Sequence, residues 1–88
     1  MPTLKVYESF AETIEEARKD DENPGQFESM DDLVRGFTTM ADGTPMDWPG
    51  LTDEEIADCK DFAAGGDTLI YLADVSLTTV GMWIEKIT

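Results

Sequence analysis

Thr68-Leu69-Ile70-Tyr71-Leu72-Ala73 and Val80-Gly81-Met82-Trp83-Ile84-Glu85 decide the fold. The first is an apolar run opened by Asp67 and reads as a strand. In the second, Val80, Met82 and Ile84 alternate with Gly81, Trp83 and Glu85. A period of two is the mark of a strand with one buried face. The join from Asp74 to Thr78 is long enough for a hairpin, although no Asn-Gly type turn announces it. Near the start, Leu4, Val6, Glu8 and Phe10 alternate with Lys5, Tyr7 and Ser9, which predicts another short strand over residues 3–8.

Between these strands the period changes to that of helices. Ala11 to Lys19 places Phe10, Ile14 and Ala17 on an inner side and Glu12, Glu15, Glu16 and Lys19 on an outer one. Asp20-Asp21-Glu22-Asn23-Pro24-Gly25 is a charged connector ending in turn residues. Ser29 caps a second helix, with Asp31 and Asp32 in the first turn where the helix dipole favours them. Its buried face is Met30, Leu33, Val34, Phe37 and Met40 or Ala41. Gly36, inside that pattern, costs roughly 1 kcal/mol against alanine and marks close packing. Ala41 to Gly50 is a loop in which Trp48 either pins the chain to the core, the preferred reading, or serves as an aromatic anchor in an interface. The third helix has the clearest start: Thr52 caps, Glu55 completes a capping box, and Leu51 and Ile56 form the staple. Ile56, Cys59 and Ala63 make its inner face with Phe62 at the margin, and Gly65-Gly66 ends it.

The expected fold class is therefore α+β: three short helices packed on a small antiparallel sheet, in the order β-α-α-α-β-β, with the first strand pairing with one of the last two. At 88 residues the expectation is a single acidic domain spanning 1–88. Hydrophobic content of 41% suffices for a modest core. One cysteine, Cys59, excludes an internal disulfide and a cysteine zinc cage. Asp58 and Asp61 flank it, so it reads as a small buried hydrophobe with a raised pKa. Trp83 is expected half-buried in its strand. No signal segment or membrane-length apolar run is visible, so the expected location is cytoplasmic.

Charge narrows the function. The chain carries 20 Asp and Glu against 6 Lys and Arg, no histidine, and a net charge of −14. Such a surface repels nucleic acid and anionic membrane and attracts basic protein. A domain of this length has a diameter of about 30 Å. Duplex DNA carries about 18 charges over that distance. To a protein that reads phosphate through Lys and Arg, the domain resembles a short duplex. Acidic surfaces also arise from adaptation to high salt, and a halophile-type structural or interaction module is the alternative.

Without histidine there is no His-based triad or imidazole ligand, and no glycine-rich phosphate loop opens a helix. Nothing outlines a nucleophile, base and orienter, so no enzyme activity, metal or cofactor is expected. The candidate residues are partner-binding carboxylates. Glu12, Glu15 and Glu16 run into Asp20, Asp21 and Glu22; Asp31 and Asp32 open the second helix; Asp53, Glu54, Asp58 and Asp61 lie on the third. Glu54, Asp58 and Asp61 recur at helical spacing, about 5 to 6 Å apart. Like charges at that spacing destabilise a helix by a few tenths of a kcal/mol each. Acids kept at that cost on every helix point to a basic partner.

Size, charge, missing histidine and mixed α and β content resemble the small inhibitors made by phages and mobile elements, among them anti-CRISPR proteins, anti-restriction proteins and uracil-DNA glycosylase inhibitors. The resemblance is compositional, covers the whole chain and rests on no motif. It implies a DNA mimic whose partner is a basic nucleic-acid-binding protein or ribonucleoprotein complex, with no direct contact to nucleic acid or membrane; whether the chain is monomeric or dimeric stays open. Two local motifs compete. Asp20, Glu22, Gly25, Phe27, Glu28 and Asp31 fall at positions 1, 3, 6, 8, 9 and 12 of a calcium loop and resemble an EF-hand, with Pro24 where a ligand oxygen is needed. Glu28-Ser29-Met30-Asp31-Asp32-Leu33 is similar to the segment at which acyl carrier proteins receive phosphopantetheine. That family is all-helical, and Ser29 serves more simply as a cap.

Overall fold

A strand near the middle of a sheet needs apolar residues facing each layer that covers it, and Val80–Lys86 supplies both. In the computed structural model, which describes residues 2–47, 50–75 and 80–87, the elements are β1 (Leu4–Glu8), α1 (Ile14–Asp20), β2 (Gly25–Phe27), α2 (Met30–Thr38), α3 (Asp53–Ala64), β3 (Leu69–Val75) and β4 (Val80–Lys86). The strands form one antiparallel sheet in the order β2-β1-β4-β3. Fold class and the pairing of the first strand with a late one agree with the sequence reading. The element order does not: it is β-α-β-α-α-β-β. Gly25 was expected to end a charged connector, with Gln26 and Phe27 in no element. Gly25–Phe27 is instead a fourth strand and the second partner of β1, with Leu4 opposite Phe27 and Val6 opposite Gly25. Three residues are too few to show alternation, and Pro24-Gly25 disguises them as punctuation.

The pleat divides the molecule into two cores. Leu4 and Val6 of β1, Leu72 of β3 and Met82 and Ile84 of β4 join Met30 and Leu33 of α2, Leu51, and Cys59 and Phe62 of α3 in one buried cluster. Tyr7 and Trp83 face the other way. There α1 lies, with Ala17 fully buried, Arg18 paired with Glu85, and Trp83 Nε1 donating to the Ala11 carbonyl at 3.0 Å. Tyr71 packs on the half-buried Trp83 ring with centroids 4.9 Å apart. Tyr7, Trp83 and Tyr71 thus form an aromatic row across β1, β4 and β3.

Local chemistry sets the helix ends. Thr13, not Ala11, begins α1: its side chain accepts from Glu16 N–H. Phe10, expected on the inner side, is therefore outside the helix and 58% exposed. Ser29 caps α2 as expected, accepting from Asp32 N–H at 3.2 Å. That helix stops at Thr38, because Thr39 bridges to Pro45 and leaves Met40 and Ala41 exposed. Gly43, at φ 90°, makes the turn between them. Thr52 and Glu55 form the expected capping box. Within α3, Phe62 is in the core and Ala63 is exposed, the reverse of the expected arrangement. Gly36 is close-packed as anticipated: a Cβ there would meet the Phe27 ring at 3.1 Å. Trp48 and residues 76–79 of the join lie outside the described residues.

Packing predicts two substitution results. Leu33 is fully buried, so Leu33→Ala should cost about 3 kcal/mol in chemical denaturation. A Cβ on Gly81 would lie 2.7 Å from the Ser9 carbonyl and also press on the Tyr71 hydroxyl, whereas one on Gly66 meets nothing within 4 Å. Gly81→Ala should destabilise by roughly 1–3 kcal/mol and Gly66→Ala by far less.

Candidate acidic interface

The expected carboxylates do not form one face. Glu12, Glu15 and Glu16 are exposed on the α1 side of the sheet, and Asp31, Asp53, Glu54, Asp58 and Asp61 are exposed on the α2–α3 side. Asp32, half-buried in the first turn of α2, pairs with Arg35 at 3.3 Å. An exposed pair of this kind adds at most about 1 kcal/mol.

Asp20 and Asp21 have structural work. Asp20 Oδ2 accepts from the buried Ser9 hydroxyl at 2.7 Å. Asp21 accepts from Glu8 N–H at 3.1 Å and Asn23 N–H at 3.2 Å. These bonds tie the end of α1 to the end of β1 and turn the chain into β2. Glu22 is exposed in that turn. The segment with calcium-loop spacing is thus folded otherwise, with Gly25 and Phe27 in a strand. No group of three or more Asp, Glu, Cys or His among the described residues is placed to hold a metal ion. Ser29, the residue of the carrier-like segment, caps α2 beside a four-stranded sheet.

Half of the six cations, Arg18, Arg35 and Lys86, are engaged within the fold. Arg18 pairs with Glu85, which, with a smaller contribution from Tyr7, holds its guanidinium above its ordinary range. Lys86 Nζ donates to the carbonyls of Phe62 at 2.9 Å and Gly65 at 3.0 Å, and sits 4.6 Å from the centroid of the Phe62 ring. The last turn of α3 has no basic residue of its own. Lys86 supplies that charge from β4, where it complements the negative end of the helix.

Asp58, Asp61 and Phe62 meet Asp67, Leu69 and Ile70 around an open cleft of about 290 Å³ beside β3. Asp67 was not among the expected site residues. Its only signal is its place just after Gly65-Gly66, where the chain turns from α3 into β3. Cys59 is fully buried, and burial pushes its thiol up from 9.0 to about 11, with Asp58 and Glu55 adding to the rise. No helix among the described residues is long and apolar enough to cross a membrane. Comparison with family models, curated proteins and solved structures finds no match.

The raised thiol pKa has a definite sign. Between about 9 and 11 the unfolded chain releases the Cys59 proton while the folded chain keeps it. Stability contributed by this group is full below about 9 and falls as pH rises towards about 11. Denaturation curves across that window should show the fall in the native sequence and a smaller one in Cys59→Ala.

Proposed function

We propose that the protein is an acidic inhibitor that mimics DNA, occupying the nucleic-acid groove of a bacterial defence or DNA-processing complex in the host cytoplasm. The observation that carries this reading is charge left unneutralised by the fold. Among the described residues, Arg18 pairs with Glu85, Arg35 with Asp32, and Lys86 is held by backbone carbonyls, while Glu54, Asp58 and Asp61 form no ion pair. The chain has a net charge of −14, and its longest extent is 35 Å. Duplex DNA presents about 20 phosphate charges over such a length. A charge per length of the same order supports a surface that a phosphate-reading groove accepts.

On this reading the protein does no chemistry and needs no cofactor. Its carboxylates accept from Arg and Lys of the target, with bidentate Arg pairs strongest. Attraction between opposite fields accelerates encounter and makes association salt-sensitive. Because the acids lie on both sides of the sheet, a groove engages one layer at a time. The α2–α3 layer is the better candidate, because Glu54, Asp58 and Asp61 form a continuous exposed stripe on the 12-residue α3.

The test is displacement of duplex DNA, followed by fluorescence anisotropy, from a CRISPR effector, a restriction enzyme and a uracil-DNA glycosylase. The expected result is loss of DNA binding by one of them. Reversal of Glu54, Asp58 and Asp61 to Lys should weaken that inhibition by roughly 100-fold, from about 1 kcal/mol per exposed pair, with the circular dichroism unchanged. Failure to displace DNA from any of them counts against the reading, and undiminished potency of the triple variant removes α3 from it.

A further inference from the structure

Strand β3 is an open edge, and its chemistry selects what closes it. In the sheet order β2-β1-β4-β3 it pairs, among the described residues, with β4 alone. Lys86 N–H donates to the Thr68 carbonyl at 2.8 Å, which makes Thr68 and Lys86 a hydrogen-bonded pair. Antiparallel ladders alternate bonded and non-bonded pairs. Ile70–Ile84 and Leu72–Met82 are then bonded, and Leu69–Glu85 and Tyr71–Trp83 are not. It follows that the backbone N–H and C=O groups of Leu69 and Tyr71 point away from β4, to the free edge. Proteins blunt exposed edges with bulges, and the register shift between Leu72 and Val75 does this for the far half of β3. The half from Leu69 to Leu72 keeps regular pairing with β4 and so keeps its outward groups available.

The cleft that borders this half has an apolar floor, Phe62 and Ile70, and an acidic rim, Asp58, Asp61 and Asp67. A long cationic side chain fits both parts: its methylenes lie on the floor and its charged head meets the rim. A second copy of this chain is disfavoured as occupant by its charge of −14. We propose that an extended basic segment of a partner protein adds a fifth strand to β3, bonding the backbone of Leu69 and Tyr71 and placing an Arg or Lys side chain in this cleft. Backbone pairing supplies affinity and the cleft supplies selection, as in strand-addition recognition generally. The inference deepens the preceding reading and rests on it in one respect, that the partner is basic; it requires no DNA groove.

The experiment uses the whole protein and a synthetic probe, an alternating Arg–Val peptide of about six residues, the usual strand length. Controls are a Glu–Val peptide and an Arg–Val peptide N-methylated at alternate residues along one edge. Binding is read by anisotropy and by amide chemical shifts. Strand addition predicts the largest shifts at the Leu69 and Tyr71 amides, a loss of about 10-fold or more on N-methylation, a similar loss in the Asp58→Asn, Asp61→Asn double variant, and no binding of the Glu–Val peptide. Equal binding of the N-methylated peptide, or shifts centred on α1 or α2, overturns the proposal and leaves only adsorption to a charged surface. The DNA-displacement assay contains no peptide, so a failure here and a failure of the mimic reading are told apart.

Discussion

The two-sided strand β4 is the constraint on which the rest depends. It pairs with β1 on one side and β3 on the other. Its pleat sends Met82 and Ile84 into the larger core and turns Trp83 and Glu85 to α1. A one-residue slip would exchange these sets and strand Glu85 in the main core. Gly81 guards the same register: it is buried where the Ser9 carbonyl and the Tyr71 ring close in, and no larger residue fits without movement. Lys86 then ties the end of the strand to the last turn of α3.

This arrangement explains how a chain with so much negative charge stays folded. Two apolar layers against one sheet provide the burial, and the cations are placed where they relieve the fold. Arg18 pins α1 to the sheet through Glu85, and Lys86 neutralises the end of an acidic helix. Acids at the starts of α2 and α3 interact favourably with the helix dipoles. The carboxylates of Asp58 and Asp61, further along α3, form no ion pair or hydrogen bond among the described residues. They are a part of the sequence that folding does not explain, and the proposed function assigns them to a partner.

Much of the fold was legible because its signals are local. Capping by Ser29 and Thr52, the buried Cys59, and alternation in β1 and β4 each follow from residues within a few positions. What was missed depends on distant partners. Gly25–Phe27 becomes a strand only because the second edge of β1 is there to receive it. Phe62 and Ala63 exchange places because the position of α3 over the sheet, which spacing alone leaves open, decides which of two adjacent residues points inward. Of the candidate site, the acids were visible, but their division between two layers was not. Nor could the sequence separate Asp20 and Asp21, which accept bonds that shape the chain, from exposed carboxylates such as Glu54 and Asp58.

The central claim is that these carboxylates stand in for phosphates. Its most direct test is a tagged pull-down from bacterial lysate containing a defence system, eluted in parallel with salt and with duplex DNA. The account predicts that a nucleic-acid-binding complex is retained and that DNA releases it as salt does. Retention that ignores DNA, or the absence of any retained basic partner, would contradict it.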